Sequence, residues 1–157
     1  MIYVAPATPA DVPTILSFIR ELAEYEKLLD RVVATEERLR ETLFGPRPYA
    51  EVLIGRLDGR AVGYALFFHS YSTFLAQPGL YLEDIYVQPA VRGRGVGKAL
   101  LREVARVARA RHCGRIEWSV LDWNQPSIDF YLSLGAKPMD EWTTYRMDEA
   151  AIARLAE

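Results

Sequence analysis

The sequence predicts an α/β protein with a mixed, mostly antiparallel, twisted sheet flanked by helices. Three observations predict this class. Short apolar runs alternate with period two, and the turn signal Asp58-Gly59 joins two of them as a hairpin. Other segments carry apolar residues at helical spacing, and one strand passes through a glycine-rich turn into a long helix. With 157 residues, the length suits one domain, so we expect residues 1–157 to form a single domain.

The N-terminal part predicts a strand and two helices. Ile2 and Val4 alternate with polar or small neighbours, which is typical of a short strand. Thr8 and Pro9 form a helix-start signal, and apolar residues then recur at helical spacing to about residue 29. A second helix is expected from Thr35 to just before Gly45.

The rest of the chain predicts strands and helices in alternation. Strands are expected at residues 50–57, 61–69, 79–87, 115–121 and 142–147. Helices are expected at about 95–111, at 126–134 and from residue 148. In strand 79–87, simple alternation places one set of side chains on one face and a second set on the other: Leu80, Leu82, Asp84 and Tyr86 against Tyr81, Glu83, Ile85 and Val87.

The glycine-rich turn between residues 87 and 98 predicts a phosphate-binding loop. Glycines let the backbone approach a ligand closely, and the helix that follows presents unpaired N–H groups and a positive dipole end. Two common phosphate motifs fail here. A P-loop requires Ser or Thr where the chain has Ala99, and a dinucleotide fingerprint requires Gly where it has Lys98 or Leu100. The pattern that fits is Arg-x-x-Gly-x-Gly, at Arg92, Gly95 and Gly97.

A second motif lies downstream, in residues 122–136. Asn124 is a helix cap, Pro126 suits the first turn, and Gly135 ends the helix. Within this helix stand Ser127, Phe130 and Tyr131.

Together these two motifs resemble the GNAT superfamily of N-acetyltransferases, in the expected order and on the expected elements. The segments Tyr81-Leu82-Glu83-Asp84, Trp123-Asn124-x-Pro126-Ser127 and Glu21-Leu22-Ala23-x-Tyr25-Glu26 are similar to the spermidine/spermine (diamine) acetyltransferase branch. The resemblance extends from the first strand to about Met147 and implies the GNAT fold, acetyl-CoA as co-substrate and a primary amine as acceptor.

The resemblance also implies roles for individual residues. Tyr131 matches the general acid beside the coenzyme sulfur, and Glu83 matches the residue that binds the amine and removes its proton. Coenzyme contacts are expected in the strand, in the glycine-rich turn and in the second motif: Ile85, Tyr86, Val87, Arg92, Gly93, Arg94, Gly95, Val96, Gly97, Lys98, Asn124, Gln125, Pro126, Ser127 and Tyr131.

By the resemblance, Tyr25, Glu26 and Glu83 match family positions that contact the amine, and Asp84 is expected to add negative charge beside them. Carboxylates beside an aromatic wall attract a cation. Glu117, Trp118 and Ser119 occupy the family's second substrate segment, where the sequence departs from the diamine enzymes. A polyamine, a thialysine-like amino acid and another small amine therefore all stay open as substrates. A protein or peptide N-acetyltransferase and a non-catalytic acyl-CoA sensor are the alternative functions.

Composition and charge limit the classes of binding partner that we expect for this chain. The formal net charge of −2 lacks the basic excess of nucleic-acid-binding modules. No apolar run reaches the roughly 20 residues of a membrane span, and the N-terminus does not resemble a signal peptide, so we expect a cytoplasmic protein without membrane partners. His69 and His112 are too few and too far apart to suggest a metal site, and Cys113 has no apparent catalytic partner. A homodimer is expected from the resemblance. The aromatic residues Trp142 and Tyr145 of the predicted last strand are consistent with an interface there.

Overall fold

The computed structural model describes all residues, 1–157, which divide into two compact units, Met1–Ser119 and Val120–Glu157. The first unit contains a five-stranded sheet in the order β1 to β5: Ile2–Pro6, Glu51–Leu57, Arg60–Ser72, Gln77–Val87 and Ile116–Glu117. The first four strands pair antiparallel, whereas β5 pairs parallel to β4. The mixed α/β fold class predicted from the sequence is therefore confirmed.

Three helices belong to the first unit: α1 at Val12–Tyr25, α2 at Glu36–Phe44 and α3 at Val96–Ala110. Helix α1 follows a 3-10 turn at Pro9–Asp11, so the predicted helix start is split into two elements. Helix α2 begins as predicted, since the Thr35 hydroxyl accepts a hydrogen bond of 3.1 Å from the Arg38 amide. Two further 3-10 turns lie at Leu29–Arg31 and Pro89–Val91.

Each face of the sheet carries its own hydrophobic cluster. The cluster that includes α3 contains Leu53, Val62, Ala65, Phe67, Leu80, Leu82, Val96, Leu100 and Val104. The cluster that includes α1 and α2 contains Val12, Ile15, Phe18, Leu39, Leu43, Ile54, Tyr64 and Tyr86. Burial of this apolar surface is the main force that holds the helices on the sheet.

A β-bulge at Glu83 corrects the predicted alternation in β4. The β3–β4 register pairs Leu66 with Asp84 and Phe67 with Leu82, so it skips Glu83. An extra residue reverses the facing of every side chain beyond it. Accordingly Leu80 and Leu82 lie in the α3 cluster. The prediction that Asp84 and Tyr86 share their face is wrong, because both residues follow the bulge. Tyr86 packs in the α1 and α2 cluster, and Ile85 and Val87 pack against the α3 cluster.

The predicted strand 115–121 is also shorter than expected. Only Ile116 and Glu117 pair, with Leu80 and Tyr81 of β4. The pairing ends next to the bulge, where the ladder of β4 is disrupted.

The second unit, Val120–Glu157, contains α4 at Gln125–Ser133 and α5 at Glu149–Leu155. The Asn124 side chain caps α4 at the Ser127 amide, and the Asp148 side chain caps α5 at the Ala151 amide. The predicted last strand, residues 142–147, is wrong, because this segment forms no strand. The β-propensity of a residue depends on packing against a neighbouring strand. This segment pairs with no strand, so its β-branched and aromatic residues form no ladder.

None of the helices combines the length and the apolar character needed to cross a membrane.

Candidate active site

The glycine-rich turn connects the end of β4 to the start of α3. Gly93 and Gly95 adopt left-handed conformations, with φ of 81° and 93°. Gly95 is the N-cap of α3, and no side chain caps the first turn of the helix. The amides of Val96, Gly97 and Lys98 are therefore the groups that this helix start presents to an anion.

The end of β4 forms the wall next to this turn. Strand β5 pairs with β4 only at Leu80 and Tyr81, whereas β3 accompanies β4 to Val87. Beyond Tyr81, no strand continues the sheet on the β5 side, so backbone groups along this edge are not used in a ladder. A methyl group added at Gly97 would lie 3.6 Å from the side chain of Val87, so the turn and the strand end are neighbours.

Arg92 joins the turn to the end of α1. Its Nε donates a hydrogen bond of 3.0 Å to the Val87 carbonyl oxygen, and its guanidinium lies 4.7 Å from the ring centre of Tyr25. The same guanidinium lies 5.9 Å from the ring centre of Tyr86. The predicted coenzyme residue Arg92 and the predicted amine residue Tyr25 are thus in direct contact, through a cation–π interaction.

Glu21 extends this contact into a network that the sequence analysis missed. Its Oε1 accepts hydrogen bonds from the Tyr86 hydroxyl at 3.0 Å and from the side-chain Nε2 of Gln88 at 3.2 Å. Burial, followed by the hydrogen bond to Glu21, raises the pKa of Tyr86 to about 12. One feature of the sequence could have indicated this network. Glu21 and Tyr25 are four residues apart and therefore lie on the same face of α1.

A carboxylate pair lies on the α1 side of the sheet. Burial raises the pKa of Asp84, an effect partly opposed by a 2.5 Å hydrogen bond from the Tyr64 hydroxyl. Burial also raises the pKa of Glu26, at the C-terminal end of α1, and the negative charge of Asp84 raises it further. The charge of Asp84 therefore acts on Glu26, and a cation bound near these two predicted amine-binding residues would lower the repulsion.

Glu83, the bulge residue, is exposed on β4. Bulges re-aim a side chain and often lie beside active sites. Two residues before it, the Tyr81 hydroxyl lies 2.9 Å from the Ser119 hydroxyl. Tyr81 is therefore a further candidate residue of the substrate site, because it contacts the predicted second substrate segment. The sequence analysis quoted it only as part of a motif.

The other residues of the predicted second substrate segment have separate roles in the structure. Glu117 forms an ion pair of 3.1 Å with Arg115, and Trp118 packs against the hydrophobic cluster that includes α3. Ser119 approaches the Tyr81 hydroxyl with its side chain, whereas Glu117 pairs with Tyr81 in the β4–β5 ladder.

The second unit carries the later motif. The Asn124 side-chain oxygen accepts from the Ser127 amide at 3.4 Å, and Pro126 stands in the first turn of α4. Gln125 donates to Asp129 at 2.7 Å, one turn further along the same helix. Tyr131 lies on α4 with its ring centre 5.9 Å from that of Phe130.

No group of three or more His, Cys, Asp or Glu side chains in the structure is arranged to hold a metal ion.

Comparison with known proteins connects this geometry to a family. The model of the acetyltransferase (GNAT) family matches residues 17–136. Thialysine N-epsilon-acetyltransferase of Bos taurus is 39% identical over 166 residues, which cover 99% of this chain and 97% of that protein. Spermidine/spermine N(1)-acetyltransferase-like protein 1 of Homo sapiens is 31% identical, over 96% of this chain and 23% of that protein.

A solved structure has a similar fold over the same extent. It is an integron cassette protein from the mobile metagenome of V. cholerae, with a TM-score of 0.83, 22% sequence identity, and coverage of 99% of this chain and 98% of its own.

Proposed function

Because this chain belongs to the acetyltransferase (GNAT) family, we propose that it moves the acetyl group of acetyl-CoA onto a primary amine of a small cationic substrate. The resemblance carried by the two sequence motifs is confirmed, and the chain is an N-acetyltransferase that acts on small amines. The substrate we favour is a thialysine-like amino acid, since the bovine relative with that specificity aligns over nearly the whole chain. A polyamine is the second candidate.

The observation that carries this proposal is the carboxylate pair beside the end of β4. Asp84 and Glu26 both have raised pKa values because they are partly buried, and Asp84 raises that of Glu26. Two neighbouring carboxylates in a partly buried site favour a cationic ligand. Tyr25, adjacent in sequence to Glu26, adds an aromatic face that also attracts a cation.

Glu83 is the proposed general base. An alkylammonium has a pKa of about 10.4, so it must lose a proton before its nitrogen can attack the thioester carbonyl carbon. Glu83 takes this proton, through a water molecule, from its position on the β-bulge.

Tyr131 is the proposed general acid. After attack, the C–S bond breaks and the leaving thiolate requires a proton, because a thiol has a pKa of about 8.5. Tyr131 supplies this proton, the acylated nitrogen releases its second proton to solvent, and Tyr131 regains a proton from solvent. The new amide and free coenzyme A are then the products.

Coenzyme binding is proposed along the end of β4 and the start of α3. Main-chain groups of Ile85, Tyr86 and Val87 contact the pantetheine arm, and residues 93–98 hold the pyrophosphate. The absence of a paired strand beyond Tyr81 and the uncapped first turn of α3 support this assignment. Asn124, Gln125, Pro126 and Ser127 are proposed to contact the coenzyme as well.

We also propose that the chain acts in the cytoplasm as a homodimer and that residues 1–157 form one domain. Trp142 and Tyr145 expose 75% and 93% of their surface, and a second copy would cover such apolar groups. Light scattering on the purified protein tests the homodimer, and a monomer at micromolar concentration would contradict it.

The first experiment follows thiol release from acetyl-CoA with a panel of amines. The panel contains thialysine, lysine, spermidine, putrescine and a short peptide. Turnover of one small cation supports the proposal. Turnover of the peptide alone would favour a protein acetyltransferase, and acetyl-CoA binding without any turnover would favour a sensor.

Glu83→Gln then tests the base. It is expected to lower kcat/KM most at low pH, while acetyl-CoA affinity stays unchanged. An unchanged rate would contradict the role of Glu83.

A further inference from the structure

Tyr64 is a buried tyrosine in the centre of the sheet that neither family motif includes. Its exposed fraction is 0%, and its ring stacks on that of Phe18, with centroids 5.7 Å apart and planes at 24°. Tyr64 belongs to β3 and its ring packs against α1, so the direction of its hydroxyl group is fixed.

The hydroxyl of Tyr64 donates to Oδ2 of Asp84 at 2.5 Å. The β-bulge at Glu83 makes this contact possible, because it turns Asp84 to the α1 side of the sheet, where Tyr64 lies. Burial and the negative charge of Asp84 raise the pKa of Tyr64 well above its ordinary value, so the phenol stays protonated and remains a donor. A donor bond to an ionised acceptor is among the stronger hydrogen bonds in proteins.

We propose that Tyr64 is a positioning residue that orients the Asp84 carboxylate toward the positive charge of the amine substrate, and so contributes to substrate selection. The inference rests on the proposed function, because it concerns the same amine site. With Oδ2 held by Tyr64, the carboxylate cannot rotate about its Cβ–Cγ bond without losing that bond, so Oδ1 has a defined direction. Tyr64 itself does not touch the substrate.

The test compares two amines that differ by one charge, 1,5-diaminopentane and pentylamine, at saturating acetyl-CoA. Wild-type protein is expected to prefer the diamine in kcat/KM. Tyr64→Phe keeps the ring and removes the hydroxyl, and it is expected to reduce this preference by about tenfold, through a higher KM for the diamine. Its kcat for pentylamine is expected to stay within twofold of wild type.

Three variants serve as controls. Tyr71→Phe removes a hydroxyl from an exposed position of the same strand and is expected to change neither KM nor kcat. In an Asp84→Asn background, Tyr64→Phe is expected to have no further effect on the preference, because Tyr64 acts through that carboxylate. Asp84→Glu keeps the charge but displaces it, so it is expected to lose the preference even if Tyr64→Phe fails to fold.

An equal preference in wild type and Tyr64→Phe, or a full preference in Asp84→Glu, overturns the inference. If neither amine is acetylated, calorimetric titration of 1,5-diaminopentane replaces the kinetics. Binding that weakens about tenfold in Tyr64→Phe supports the positioning role while the proposed acetyl transfer fails. Equal binding by the two proteins, or no binding by wild type, removes the inference itself.

Discussion

Replacing Gly97 by alanine is expected to stabilise the protein and at the same time weaken acetyl-CoA binding. Gly97 is the second residue of α3, and the nearest atom to an added methyl group is in the Val87 side chain at 3.6 Å, an ordinary van der Waals distance. The folded state therefore accepts the methyl group. Alanine also restricts the unfolded chain and favours helix, which together contribute about 0.4–1 kcal/mol. For a chain of this length, that gain raises Tm by roughly 1–4 °C.

The same methyl group projects from the turn at which the pyrophosphate is proposed to lie. If it keeps a phosphate oxygen away from one amide, a hydrogen bond to a charged group is lost, which contributes about 1.5–3 kcal/mol. The expected Kd of acetyl-CoA therefore rises about tenfold or more. Stability and affinity move in opposite directions, which a general loss of structure cannot produce.

Gly95 and Gly59 provide the matched comparisons. Gly95→Ala is expected to cost roughly 1–2 kcal/mol, because Gly95 has a φ of 93° and an L-residue is strained there. Gly59, at φ of 82° in the β2–β3 hairpin, has nothing within 4 Å of an added methyl group. Gly59→Ala is expected to lose stability without any change in acetyl-CoA affinity.

The assays are thermal and urea unfolding for stability and calorimetric titration for acetyl-CoA affinity. Wild-type affinity in Gly97→Ala would refute the phosphate role of this turn. A lower Tm in Gly97→Ala would refute the reasoning about the start of α3.

Three other substitutions follow from the structure. Asp84→Asn is expected to raise Tm of the ligand-free protein at pH 7, because burial raises the pKa of Asp84 and wild type therefore loses stability as pH rises through that pKa; a pH series of melts checks this. Glu51 has a lowered pKa, chiefly because of its hydrogen bonds from Arg111, so the pair stabilises above pH 4.5 and loses that effect as pH falls through the folded pKa. Both side chains are partly exposed, so Glu51→Gln is expected to cost only about 0.2–1 kcal/mol at pH 7 and less at pH 3, as measured by urea unfolding. Tyr131→Phe is expected to lower kcat roughly a hundredfold while the Kd of acetyl-CoA stays within twofold; a normal kcat would contradict its role as the acid.

Local signals made the glycine-rich turn and the helix starts predictable. Thr35 and Asn124 accept hydrogen bonds from amides three residues further on, and Gly95 is the N-cap of α3 in a left-handed conformation. Each of these helix starts therefore depends on a short stretch of sequence. The family motifs are of the same kind. They consist of consecutive residues on one strand, one turn or one helix.

The bulge in β4 was not predictable in this way. The adjacent polar residues Glu83 and Asp84 interrupt the apolar alternation of this run, but the position of the extra residue is fixed only when β4 is paired with β3. For the same reason, the contact between Tyr64 and Asp84 was missed, since it joins residues 20 positions apart on neighbouring strands. The last predicted strand failed because β-propensity depends on a partner that the local sequence does not specify.

Strand β4 explains why the two proposed ligand regions lie next to each other. Past the bulge, Val87 contacts the α3 side of the sheet and Asp84 the α1 side, so one short stretch of strand serves both faces. Arg92 then connects them, because its Nε binds the Val87 carbonyl and its guanidinium covers Tyr25. A change in the conformation of the turn must therefore move or break a contact with the end of α1, which carries the residues proposed to hold the amine.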